Sequence, residues 1–156
     1  MAIRKDKMQS VVAGNIESVV LAADTQNGQV VTLGSPVVGE RELVNGVAPT
    51  DVVTQEIVII SSPEIVYEAG KGILDFVNKA GKPARADHFT VGDNVTVTDD
   101  VIDGTSVVDK FLIPVNGKTK LAHANDLTGG TRFAAVVIGK GKVYGQPATT
   151  FRVVQA

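Results

Sequence analysis

Cysteine and tryptophan are missing from this 156-residue sequence, and its aromatic side chains amount to five Phe and two Tyr. Without cysteine there is no disulfide, no thiolate metal ligand and no thiol nucleophile, and folding needs no oxidising compartment. Long apolar runs are missing too. The longest, residues 133–138, falls far short of the roughly 20 residues that cross a bilayer as a helix. A basic excess is also lacking: 15 Lys and Arg stand against 17 Asp and Glu, a formal charge of -2. That balance excludes the broad cationic face of a general nucleic-acid binder and gives no reason to adsorb to anionic lipid. The opening stretch, Met1 to Met8, carries Arg4, Lys5, Asp6 and Lys7 and leads into no apolar run of the kind a secretory signal needs. No specific nucleic acid and no membrane is therefore expected among the partners.

What the chain does have is aliphatic, and Val is prominent in most of its apolar stretches. Branching at Cβ restricts χ1, which disfavours helix and suits a pleated sheet. At this length and with an even composition, one domain is expected, with residues 1–14 as an N-terminal arm and 15–156 as a single β-rich body. From Ile16 the pattern reads strand, Asn27-Gly28 hairpin turn, strand, the dipeptide tolerating positive φ. Residues 34–51, rich in Gly, Pro and charge, read as a long surface loop. The most β-prone stretch is 52–61.

Ser61-Ser-Pro-Glu64 has capping-box spacing, and a short helix is expected at about residues 73–80, with Ile73, Phe76 and Val77 on one face and Gly81 closing it. Gly92-Asp93 turns into an alternating strand at 94–98. Further strands are expected at 107–115 and 118–122 around Asn116-Gly117, and at 131–139 and 149–155 around a loop, 140–148. The expected fold class is mainly β, an antiparallel sandwich or barrel with one short helix.

Motifs for chemistry fail on spacing. Gly117-Lys118-Thr119 ends like a phosphate-binding loop, but the required earlier glycine is Leu112, and Pro114 removes an amide donor. Asp99, Asp100 and Asp103 precede Gly104 as in a calcium loop, yet Val101 and Lys110 occupy ligand positions. His88 and His123 lie far apart without metal-ligand spacing, and no Gly-x-Ser-x-Gly elbow is present. No catalytic residue, metal or cofactor is expected. Candidate contact residues remain: Arg4, Lys5, Lys7 and Met8 in the arm, Arg41 in the 34–51 loop, and Lys140, Lys142 and Tyr144 around the last turn.

The segments Ser62-Pro-Glu-Ile-Val-Tyr-Glu68, Asp75 to Arg85 and Val91-Gly-Asp93, with the closing pair Thr131 to Ile138 and Pro147 to Val154, resemble small structural proteins of tailed bacteriophages. The nearest likeness is to capsid decoration (cement, or auxiliary) proteins. It covers about the last two thirds of the chain and carries over no individual residue. The resemblance implies a non-enzymatic virion protein, made in the host cytoplasm, bound to the major capsid protein on the outer surface of the shell. It also implies copies associating with one another, as trimers. A tail, head-fibre base or connector part, or a small-ligand-binding β domain, would share the composition.

Overall fold

Alternation, more than propensity, decides which way each aliphatic side chain faces. The structure, a computed structural model, describes residues 2–156; residue 1 of the expected arm lies outside them. In chain order the strands are β1 (Ile3–Lys7), β2 (Ile16–Leu21), β3 (Val30–Pro36), β4 (Leu43–Val47), β5 (Val58–Ile60) and β6 (Pro83–His88). There follow β7 (Asn94–Thr98), β8 (Ile102–Asp103), β9 (Phe111–Ile113), β10 (Leu121–Ala124), β11 (Ala134–Val143) and β12 (Gln146–Gln155). One short α-helix, α1 (Gln9–Ala13), follows β1.

The protein is mainly β, and both expected forms have a counterpart in it. Strands close in the order β2-β4-β3-β5-β6 into a five-stranded barrel, which packs on an open seven-stranded sheet ordered β1-β7-β12-β11-β9-β10-β8. Pairing is antiparallel except between β2 and β4 and between β8 and β10.

Two cores result. Val19, Leu21, Val31, Val58, Ile60, Ala84 and Ala86 fill the barrel. The larger core lies between barrel and sheet, where Val30, Ile57 and Ile59 meet Val95, Val97, Leu112, Phe133, Val137 and Phe151. Successive residues of a strand point to opposite faces, so β5 sends Val58 and Ile60 into one core and Ile59, with Ile57 just before the strand, into the other. Three of the five Phe gather in the larger core: the Phe89 ring lies 4.5 Å from Phe133 and 6.4 Å from Phe151, centroid to centroid. The barrel interior leaves no spare volume at Gly46, where a Cβ would come within 2.8 Å of Leu21 Cδ2.

Several local expectations change. Gly28 does take a positive φ, but β2 and β3 are not neighbours, because β4 and β6 occupy both edges of β2. Asn27 is a buried hub instead. Its Nδ2 donates to the Ser62 carbonyl (2.8 Å) and to Glu64 Oε1 (3.1 Å), while its Oδ1 accepts from the Ser62 N–H and from Asn78 Nδ2. That demand also dissolves the expected helix at 73–80: only Ile73–Asp75 coils, as a 3₁₀ turn, and Asn78 is drawn into a bridge with Thr25.

The expected loop at 34–51 contains the end of β3 and all of β4. The strand expected from Val52 begins only at Val58. Asp51 accepts from the Val53 N–H (3.0 Å) and Thr54 Oγ1 (2.6 Å), and such local side-chain bonds compete with a ladder. The expected loop at 140–148 is a continuous hairpin, turned by Tyr144 and Gly145, both at positive φ as a two-residue turn requires.

The N-terminal segment is no loose arm. β1 pairs with β7, Ala2 and Met8 are buried, and α1 is anchored by Asp93, whose Oδ1 accepts the Gln9 N–H at 2.7 Å. Gly14, at φ 69°, ends the helix. Two backbone groups on the outer edge of β1 are engaged, which blunts it: Glu64 Oε1 accepts the Ile3 N–H, and the Lys5 carbonyl accepts the Met8 N–H.

Two outcomes test this packing. Gly46→Ala overpacks the barrel and should cost about 1–3 kcal/mol in urea denaturation. Met8→Ala should cost about 2–5 kcal/mol, and removing residues 1–14 at least as much. A truncated chain that unfolds at the wild-type midpoint would make this segment an appendage after all.

Candidate functional site

The sheet order brings the two ends of the chain together. β1 lies at one edge, β7 and β12 follow, and the β11–β12 hairpin runs past them, so that Ala2, Val143 and Ala148 share a small buried cluster. Where the hairpin tip meets the N-terminal segment, an open groove of about 690 Å³ forms, and Arg4, Val11, Val12, Lys142 and Tyr144 are among its walls. A second groove, of about 410 Å³, is lined by Lys7, Thr96, Ile138 and Thr150 and shares Arg4 and Lys142 with the first.

Apolar side chains stand exposed on this face. Val12 is 89% exposed and Tyr144 63%, an arrangement that contributes nothing to the core and leaves apolar area for a partner. Five residues suffice for α1 because Asp93 holds its first turn and Gly14 its last. The helix therefore presents Val11 and Val12 outward at a fixed place. Lys7 and Lys142 have no ion-pair partner among the described residues, while Arg4 pairs with Asp6 at the surface. The face combines an apolar ridge with free ammonium groups, which suits an acidic-rimmed protein surface.

The contact residues expected from sequence separate into three groups. Arg4, Lys7, Lys142 and Tyr144 meet on this face. Lys5, Met8 and Lys140 direct their functional ends inward. Lys140 Nζ donates to Asp99 Oδ2 (2.7 Å), Ser106 Oγ (2.7 Å) and Thr149 Oγ1 (2.8 Å), bracing the hairpin against the 99–106 segment. Arg41 lies apart, on the turn between β3 and β4. Val11 and Val12 were not among the expected contacts, because an adjacent pair of valines in a sequence looks like core.

The motifs set aside on spacing are engaged structurally. Lys118 pairs with Asp103 at 2.6 Å, and Asp99 with Lys140, so lysines occupy the acidic turn. Among the described residues no group of three His, Asp or Glu side chains is placed to hold a metal ion. Asp87 and His88, adjacent on β6, go to opposite sides, and Arg85 joins neither.

His88 forms a second polar cluster. Glu17, Glu56 and His88 each stand two residues before or after a barrel-filling residue (Val19, Val58 and Ala86), so alternation places all three at one mouth of the barrel. His88 Nδ1 contacts Glu56 Oε1 at 2.7 Å and Nε2 contacts Glu17 Oε1 at 3.1 Å. A neutral imidazole donates from one nitrogen only, so two carboxylates call for the imidazolium. Burial pulls the His88 pKa down, but the hydrogen bonds to Glu56 and Glu17 outweigh it, and the net displacement is upward from 6.5.

No family model matches this sequence, and no curated protein or solved structure matches it either.

The sign of the His88 effect is testable. A raised pKa in the folded state stabilises most below the unfolded value near 6.5 and loses that contribution as pH rises through the folded value. Denaturation midpoints should therefore fall with rising pH above about 6.5, and His88→Gln should flatten that slope. A slope that survives in His88→Gln would place its origin elsewhere.

Proposed function

We propose that this protein is a structural docking module that binds the outer surface of a tailed-phage capsid shell and stabilises it. The observation that carries the docking role is the face where α1 and the hairpin tip meet, with Val12 and Tyr144 exposed between Arg4, Lys7 and Lys142. A docking surface needs rigid apolar anchors inside a polar rim. Here the anchors sit on a capped helix and a tight hairpin turn, both tied to the sheet. The shell as partner rests on the resemblance of the 62–93 region and the closing hairpin to capsid decoration proteins. On this reading the partner is the major capsid protein, copies of the chain associate on the shell, as trimers, and the place of action is the virion exterior.

The body suits such a role. A seven-stranded sheet and a closed barrel share one core, and hydrogen bonds to the Ile3 N–H and the Lys5 carbonyl blunt the sheet's β1 edge. Repetition over a shell lattice multiplies a weak contact through effective concentration, so a modest face suffices for retention.

The test is co-sedimentation of the purified protein with capsids lacking it, followed by electron microscopy. Saturable density at repeated outer positions is the expected result. Val12→Asp and Tyr144→Ser should each weaken retention by about 1–2 kcal/mol, roughly tenfold, with unfolding midpoints unchanged. Soluble protein left behind by intact shells would sink the capsid reading, and full retention of both variants would move the contact to another face.

A further inference from the structure

The seam between barrel and sheet contains a lysine and an aspartate in a setting that ordinary ion pairs lack. Asp87 on β6 is fully buried, with Ile16 and Ile59 as its register partners on the neighbouring strands. Lys5 reaches it from β1, 82 positions away in sequence, with Nζ 2.7 Å from Oδ2. Ser61 Oγ donates to the same oxygen at 2.5 Å. Oδ1 is buried as well and has no hydrogen-bond partner. An ionised carboxylate accepts hydrogen bonds on both oxygens, and leaving one bare in an apolar seam is costly. The amine is pressed against one oxygen while the other goes without donors. That is poor housing for a lasting ion pair and good housing for a condensation.

We propose that Lys5 and Asp87 form an intramolecular isopeptide bond. The proton of the ammonium passes to the carboxylate across the 2.7 Å contact, leaving a neutral amine and a carboxylic acid. Lys5 Nζ then attacks Asp87 Cγ, forming the C–N bond. One Cγ–O bond breaks, and that oxygen leaves as water with two protons, one carried over from the first transfer and one released by Nζ. The other oxygen stays as the amide carbonyl. No oxidant, reductant or activated co-reactant enters. Ser61 Oγ is placed to donate to the oxygen that gathers charge as the amine adds. Fixing amine and carboxyl in contact replaces the activation that a free amine and acid would need, through effective concentration.

Two further features fit. Glu64 lies alongside β1, accepting the Ile3 N–H at 3.2 Å, two residues from Lys5. Burial raises the pKa of its carboxyl from the ordinary glutamate value despite hydrogen bonds from Asn27 and Ile3, so a second carboxyl in a low-dielectric setting lies beside the strand that carries Lys5. About a fifth of the Lys5 side chain meets solvent, which gives the released water a way out. The product would tie the first strand of the sheet covalently to the barrel, and the bond would form whether or not the partner is a capsid.

The experiment is the intact mass of the purified full-length protein under denaturing conditions, with peptide mapping by tandem mass spectrometry. The expected mass is one water below that of the sequence, and mapping should yield a branched peptide joining Lys5 to Asp87. Lys5→Arg keeps a cation at the site and should restore the full mass. Asp103-Gly104 can also lose one water by closing to a succinimide, but that loss would persist in Lys5→Arg and map to residues 103–104. Full sequence mass in the wild-type protein overturns the proposal, as does a deficit that persists in Lys5→Arg or maps away from Lys5 and Asp87. The wild-type measurement decides the matter even where the variant folds poorly.

Discussion

Strand β5 has no outer side. All three of its residues are buried, and alternate side chains belong to different cores, so the barrel and the sheet are built on the same few residues. β3 repeats the arrangement, with Val31 turned into the barrel and Val30 into the core beneath the sheet. This double duty accounts for the unbroken run Ile57-Val-Ile-Ile60, since a strand buried on both faces has no place for a polar residue. Without these shared strands the barrel would end in solvent and the sheet would lose one wall of its core.

Polar groups at the seam are then under strict demand, since each must find a partner away from water. Asn27 serves four hydrogen bonds there, and Asp87 draws Lys5 and Ser61. The irregular segment between β5 and β6 follows from that demand more than from its own propensities. It runs where Asn27, Thr25 and Asp24 can satisfy its backbone and side chains, and Asp24 in turn takes the Ala80 N–H and Lys79.

Strands with clear alternation, such as 16–21, 94–98 and the closing pair, were legible in the sequence because one face of each is buried and period two survives. The Asn27-Gly28 turn was misleading, since the same dipeptide suits a hairpin and a buried amide hub, and only the neighbours of β2 distinguish them. The helix expected at 73–80 had the right apolar spacing. Asn78, however, is needed at Thr25, and five residues of helix appear instead at Gln9–Ala13, where a distant carboxylate, Asp93, caps them. Residue type alone marked Arg4, Lys7, Lys142 and Tyr144 as contact candidates. That they would meet depends on the order β1-β7-β12-β11, which joins segments more than a hundred positions apart.

The strand order also sets a timetable. All five barrel strands lie within residues 16–88, so the barrel can close while the rest of the chain is still being synthesised. β1, made first, has no partner until β7 emerges, and the sheet is complete only with β12. Until the strands of the sheet emerge, the outward side chains of β3 and β5 lack most of their cover. Non-local pairing of this kind slows folding and lengthens the exposure of sticky intermediates. Val30, Ile57 and Ile59 thus take most of their cover from side chains made after the barrel strands, between Phe89 and Val153.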